Sequence, residues 1–439
     1  MAYYLQSAKE LVRMAALAAV LGAPQIASAQ EASHPSAPVH SPSQNPGTGE
    51  AGLSSVELLG KRLFEDTNLS DPRGQACASC HDAAKAFTGN SGSSIAAVAA
   101  GAPTGIMGNR NVPTAMYATF TPPFSFVEKK DEKTGKVELV PSGGLFLDGR
   151  ADTMAKQAEG PFLNPREMNN PSKQAVVDKV RAGTYAELMR KVYGDNVFDD
   201  VDSAYANIAQ AIAAFENTPR FRPFSSKFDA FLGGKAKLTP AEARGFALFK
   251  DPKKGNCIAC HVGKEDSNKS EDWLFTDYSY DTFGVPRNRD IPDNAKSEFF
   301  DKGICDREDI AAVAPKGVEV EAFCGAFKVP TLRNVAVTAP YMHNGVFKTL
   351  REAVDFYATR DTDPKRWYPR DAKRRAQKFD DLPRKFHDNV NVKEVPYDRK
   401  PGQKPRLSNR DIDAIVSFLE TLTDAPYQAV SRQAAGAKR

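Results

Sequence analysis

Cys77-Ala78-Ser79-Cys80-His81 and Cys257-Ile258-Ala259-Cys260-His261 are two copies of one pattern, Cys-x-x-Cys-His, in a chain of 439 residues. Each copy has the same preface: Leu59-Gly60-Lys61-Arg62-Leu63-Phe64 leads into the first, Arg244-Gly245-Phe246-Ala247-Leu248-Phe249 into the second. A helix-period stretch follows each at a distance. Val201 to Asn217 repeats apolar residues at Ile208, Ala211, Ile212 and Phe215, and Asn409 to Thr423 does so at Ile412, Ile415, Val416 and Leu419. Helix, Cys-x-x-Cys-His turn, loops and closing helix, twice over, predict an internal duplication of a small helical domain. The fold class is therefore mainly α, two helical domains joined by long loops. The boundary should fall near Gly233-Gly234, before the Thr239 cap signal and Pro240, giving domains 53–234 and 235–439.

The chemistry of the motif is specific. Two thiols one helical turn apart can add to the two vinyl groups of a haem, and the adjacent His then reaches the iron. On this reading Cys77, Cys80 and His81 hold one haem c, and Cys257, Cys260 and His261 a second. The competing reading is a zinc site built from the four cysteines, although zinc does not require a His after each pair.

The remaining composition narrows the class. Lys and Arg number 59 against 55 Asp and Glu, too even for a nucleic-acid binder. No run of about 18 apolar residues occurs, so no transmembrane span is expected. Residues 1–29 read as a signal peptide: Lys9 and Arg13 precede the apolar run Met14 to Ala23, and Ala27-Ser28-Ala29 offers a cleavage site. An uncleaved anchor is the alternative. Residues 30–52, rich in Pro, Ser, Gly and Ala, read as a flexible linker in which His34 and His40 are exposed spacers. Export implies an oxidising compartment, in bacteria the periplasm. The two remaining cysteines, Cys305 and Cys324, are then expected to form a disulfide; two free thiols are the other reading.

Around the two motifs the chain resembles the bacterial di-haem cytochrome c peroxidases and, within them, the MauG-like protein-oxidising enzymes. The resemblance runs from about Glu57 to Asp424. It rests on Arg110-Asn111-Val112-Pro113-Thr114, Leu147-Asp148-Gly149-Arg150, Gln157-Ala158-Glu159-Gly160-Pro161, Glu167-Met168, Val329-Pro330-Thr331-Leu332-Arg333-Asn334 and Ala339-Pro340-Tyr341-Met342-His343-Asn344-Gly345. It implies two cytochrome c-like domains, an N-terminal haem that reacts with peroxide and a C-terminal haem that relays electrons. It also implies a calcium ion between the domains, carried over to Asn111, Thr338 and Pro340, and is compatible with a homodimer. Glu167 becomes the group that moves the peroxide proton, with Gln157 beside it and Pro161 packed over the iron. Taken alone, Glu167 would read as an ordinary surface helix residue. Arg150 becomes an electropositive contact, where its bland reading is a surface ion pair.

Three departures from the family pattern matter. No His lies between His81 and His261, so the distal His that caps the first iron in many relatives is missing and that iron is expected to be open to peroxide as isolated; were it capped after all, Met107 would be the first suspect. Leu147 stands where the family usually has an inter-haem Trp. The residue 14 after His343 is Tyr357, a position that is Met in the peroxidases and Tyr in MauG. The sixth ligand of the second haem therefore has three candidates: Tyr357, His343 (which by resemblance lines the haem) and Met342. His387 reads as a surface His. The run Lys365, Arg366, Arg370, Lys373, Arg374, Arg375 and Lys378 around Trp367 reads either as a solvated helix face or as a docking patch for an acidic partner. Three functions follow. One is a periplasmic peroxidase reducing hydrogen peroxide with electrons from a small cytochrome c or cupredoxin. The second is a MauG-like oxidase acting on a partner protein, and the third a non-catalytic di-haem electron carrier.

Overall fold

The computed structural model describes residues 52–130 and 135–430. The signal-peptide and linker readings, apart from Gly52, lie outside those residues. Helix dominates. Among the described residues eight helices have eight residues or more: α1 (Ser55–Glu65), α2 (Met154–Leu163), α3 (Lys173–Arg181), α4 (Ala186–Tyr193), α5 (Val201–Glu216), α6 (Pro240–Lys250), α7 (Leu350–Thr359) and α8 (Asn409–Glu420). Sheet among the described residues is confined to two small antiparallel pairs, β1 (Ser125–Lys130) with β2 (Val137–Ser142), and β3 (Tyr280–Asp281) with β4 (Phe327–Lys328).

The starts of these helices are written in the chain. Ser54 and Glu57 form a capping box on α1, Thr239 and Glu242 on α6, Thr349 and Glu352 on α7, and Ser408 and Asp411 on α8. Each satisfies backbone N–H groups that have no partner inside the helix. Pro240 sits where a helix's first turn tolerates it. Asp200 caps α5 through the Ser203 N–H at 2.8 Å.

Two crossings organise the fold, α1 on α5 and α6 on α8, and they repeat each other in detail. A Cβ placed on Gly60 would stand 1.8 Å from the Ala211 carbonyl oxygen; one on Gly245 would stand 1.9 Å from that of Ala414. Only glycine lets the helix backbones approach so closely. Around the first crossing Phe64 meets Phe215 at 5.5 Å, and around the second Phe249 meets Phe418 at 5.3 Å. Buried apolar residues accordingly gather in two main clusters. One is drawn from Leu59 to Phe221 and the other from Phe228 to Leu422, with Tyr427 near the chain's end returning to the first. Cys305 and Cys324 are joined by a disulfide that closes the loop between them.

Candidate functional site

The two Cys-x-x-Cys-His turns hold the Nδ1 edge of their His alike. His81 Nδ1 lies 2.9 Å from the Phe87 carbonyl oxygen, and His261 Nδ1 lies 3.0 Å from that of Phe275. Both phenylalanines have left-handed backbones, φ 52° and 56°, which turn those carbonyls toward the rings. The Thr114 hydroxyl donates to the Ala86 carbonyl, and the Thr331 hydroxyl to that of Leu274, so each Val-Pro-Thr segment braces the loop beneath its own His. A ring held through Nδ1–H leaves Nε2 as the free lone pair, the arrangement that fixes a metal-binding imidazole. Burial also pushes both imidazoles down, toward the neutral form that a metal needs. All four thiols are free.

Both turns open on one continuous cavity of about 570 Å³. Near His81 its wall carries Gln157 and Pro161 from α2, then Glu167 and Arg150. Burial raises the Glu167 carboxyl, opposed by Arg150 and by the Asn164 amide, which donates to Glu167 Oε1 at 2.9 Å. A carboxyl poised between those effects is suited to accept and return a proton. The Gln157 side chain makes no hydrogen bond among the described residues, so its amide faces the cavity uncommitted. Arg150 is ion-paired as its bland reading had it, its guanidinium on Asp148 at 2.8 Å, yet it also lines the cavity and lies 3.6 Å from the centre of the Phe146 ring.

Around His261 the wall includes Tyr357 from α7, together with Met342 and His343. The Tyr357 hydroxyl has no hydrogen-bond partner among the described residues, and burial drives its pKa upward. Its ring is braced edge-on by Phe283 at 5.1 Å. His343 is already occupied: Nε2 lies 3.1 Å from Asp381 Oδ2, and the ring stacks on Phe327 at 3.8 Å. Of the residues expected to hold calcium, the Asn111 amide nitrogen donates to the Pro340 carbonyl at 2.6 Å, while the Thr338 hydroxyl donates to the Val335 carbonyl. All three line the cavity, but an ion would require the Asn111 amide to turn its oxygen toward Pro340.

Sequence reading assigned no role to several charged groups that lie beside Leu147. Leu147 lines the cavity, and close by lie Lys328 and a buried Asp148–Arg110–Asp301 chain. Burial lowers Lys328 to about 8, with Asp148 opposing. Although burial opposes it, Arg110 holds the Asp301 carboxyl below its ordinary range. Asp281, raised to about 6 by burial, also lines the wall near Cys260, and Glu216 lines it near Cys77. Glu216 left one visible signal, a charged residue four places after Ile212 on an apolar helix stripe.

Three expectations are corrected. Met107 packs beside a satellite cluster of Ala97, Val98 and Ile291 and is absent from the cavity wall, so it is not placed to cap the first iron. His387 is half-buried, because the Leu382 carbonyl, 3.0 Å from Nε2, and the Phe379 ring of the same loop close against it. The basic run is not a helix face, since only Pro364–Trp367 is helical there; Arg366, Arg375 and Lys378 pair with Asp355, Asp371 and Asp361.

A mainly helical duplicated fold with two Cys-x-x-Cys-His turns on one cavity defines the class: a c-type redox protein with two haem-attachment motifs. The chain belongs to the di-haem cytochrome c peroxidase and MauG family, and it is an oxidoreductase of the cytochrome c peroxidase type. The family model described as di-haem cytochrome c peroxidase matches residues 54–237. Methylamine utilization protein MauG of Paracoccus denitrificans is 35% identical over 391 residues, covering 88% of this chain and 92% of that protein. Cytochrome c551 peroxidase of Nitrosomonas europaea is 32% identical over 302 residues, covering 68% and 71%. The crystal structure of the diheme peroxidase BthA from Burkholderia thailandensis matches with a TM-score of 0.77 at 41% identity, covering 85% of this chain and 87% of that one. Membership implies two haem groups. No helix among the described residues is long and apolar enough to cross a membrane.

Proposed function

We propose that the protein is an exported, periplasmic di-haem peroxidase that reduces hydrogen peroxide to water with electrons from a small cytochrome c or cupredoxin. One observation carries this reading: both Cys-x-x-Cys-His turns, each with its His held through Nδ1, open on one cavity. Cys77 and Cys80 would hold the N-terminal haem by thioethers with His81 on its iron; Cys257, Cys260 and His261 would hold the C-terminal one. Bound there, the haems supply an iron that meets peroxide and a second that relays electrons.

The chain's own residues do the rest. Glu167 takes a proton at its carboxylate from the near peroxide oxygen and returns it to the far one, while Asn164 keeps that side chain in place. Gln157 offers its free amide as a donor to the bound oxidant. Pro161 interrupts the hydrogen-bond pattern of α2 and presents a compact apolar surface to the same space. Arg150 contributes positive charge at the pocket's mouth, tempered by Asp148. Two waters leave for each peroxide, which consumes two electrons and two protons. A calcium ion at Asn111, Thr338 and Pro340 would tie the two halves together.

The MauG-like reading, oxidation of a partner protein's side chains, is favoured by Tyr357. Its unpartnered hydroxyl lines the second haem's pocket, whereas His343 is engaged with Asp381 and Phe327. As an anionic ligand Tyr357 would favour oxidised iron over reduced. A pyridine haemochrome assay should give two haems c per chain. Peroxide mixed with the holoprotein and reduced small cytochrome should then oxidise that cytochrome; failure to do so, with both haems staying oxidised, would hand the assignment to the MauG-like reading.

A further inference from the structure

The ends of α5 and α8 occupy matching places in the duplicated fold. Phe215 lies against Gly60 as Phe418 lies against Gly245. One residue further on, α5 carries Glu216 where α8 carries Leu419. Both line the cavity and both are buried, 5% and 4% exposed. The preceding residues on each stripe, Ile212 and Ile415, line it as well. This position is therefore apolar in one half and a carboxyl in the other. Among the described residues Glu216 Oε2 has no hydrogen-bond partner, a costly state that a leucine would avoid.

The surroundings leave this carboxyl electrostatically alone. Burial accounts for its rise to about 8. The titratable group facing it is Cys77, one of the two thiols of the first motif. Of the charged groups on the elements packed against α5, Arg62 of α1 is exposed and the others are engaged elsewhere. On α1, Lys61 pairs with Glu65 and Glu57 caps Ser54; on α2, Lys156 pairs with Glu159. On α3, Lys173 pairs with Asp202, Arg181 with Asp178, and Lys179 binds the Ser70 carbonyl and Asn170. A carboxyl with an open oxygen thus stands on the wall of the N-terminal pocket, without an ion-pair partner among the described residues.

We propose that Glu216 is a redox-linked proton site of the N-terminal haem pocket, a role absent from the second pocket because Leu419 takes its place. The inference rests on the assignment of a haem to Cys77 and Cys80. When one electron arrives from the donor protein, the Glu216 carboxylate takes one proton from solvent; when the electron leaves, the proton returns to solvent. The pocket's net charge stays constant through the cycle, which lightens the penalty of placing an uncompensated charge in an apolar cavity. Above the acid's pKa the anion favours the oxidised pocket, so the reduction potential falls as pH rises through the window around 8. Burial raises Asp281, beside the second motif, only to about 6.

The test uses the full-length holoprotein. Pyridine haemochrome absorbance is read first on every sample, so a missing haem is seen directly and overturns the haem assignment and this inference together. Optical redox titrations of the N-terminal haem, repeated from pH about 6.5 to about 9.5, should give a midpoint that falls with pH in the wild type and is flat in Glu216→Gln. Glu216→Leu, copied from the other half of the molecule, should keep its haem and be flat as well. The oxidised-minus-reduced infrared spectrum should contain a protonated-carboxyl C=O band that both variants lack. A pH-independent wild-type midpoint, or a slope that survives in both variants, would overturn the proposal.

Discussion

Replacing Gly60 or Gly245 by alanine tests the duplicated helix crossing at its narrowest point. The added Cβ would stand 1.8 Å or 1.9 Å from a backbone carbonyl oxygen of the crossing helix, and real Cβ atoms essentially never come within 3.0 Å of a neighbour. The helices must therefore part by at least about 1.2 Å at Gly60 and about 1.1 Å at Gly245. The obstacle is backbone, so no side-chain rotation relieves it. Overpacking of this kind costs about 1–3 kcal/mol, and a rigid obstacle places both variants at the upper end. Alanine regains about 1 kcal/mol of helix propensity over glycine. The net expectation is a loss of about 2 kcal/mol in each variant, read as a lower urea midpoint at unchanged slope. The disturbance should also be local. Gly60→Ala should perturb the visible spectrum of the N-terminal haem and leave the other unchanged, and Gly245→Ala the reverse. Unchanged or raised stability would show that propensity outweighs contact and that the helices do not meet through these glycines.

Other outcomes are open to measurement. Glu167→Gln should keep both haems yet slow the reaction with peroxide by roughly 10²–10⁴-fold, the usual range for a lost general acid-base group; unaltered stopped-flow kinetics would reduce Glu167 to a partner of Asn164. Tyr357→Met should shift the second haem's spectrum toward a His/Met pair and raise its potential, since an anionic ligand is exchanged for a neutral one. A spectrum identical to wild type would exclude Tyr357 as a ligand. Replacing Cys305 and Cys324 together by Ser should cost roughly 3 kcal/mol through the lost constraint on their loop, with the peroxide reaction retained; an unchanged urea midpoint would show the loop to be ordered without its bridge.

The local order of this protein was legible in the chain because its causes are local. Thr239 followed by Pro240 and Glu242 is a helix start by hydrogen-bond geometry alone, and α6 begins there. The apolar period of residues 201–217 became α5, ending at Glu216, and that of 409–423 became α8, ending at Glu420. Two Cys-x-x-Cys-His motifs declared a pair of attachment sites because thiol spacing and the neighbouring His are themselves the chemistry. Both Gly60 and Gly245 stood in the quoted prefaces, but their purpose depends on Ala211 and Ala414, remote in sequence, and appears only once the helices cross. The same holds for the site's electrostatics. Whether His343 is free depends on Asp381, and whether Met107 faces the cavity depends on Ile291. Glu216 reads as a flaw in an apolar stripe until tertiary packing strips away its water and its partners. Burial and long-range pairing are properties of the assembled chain, and they decide which of its titratable groups can act.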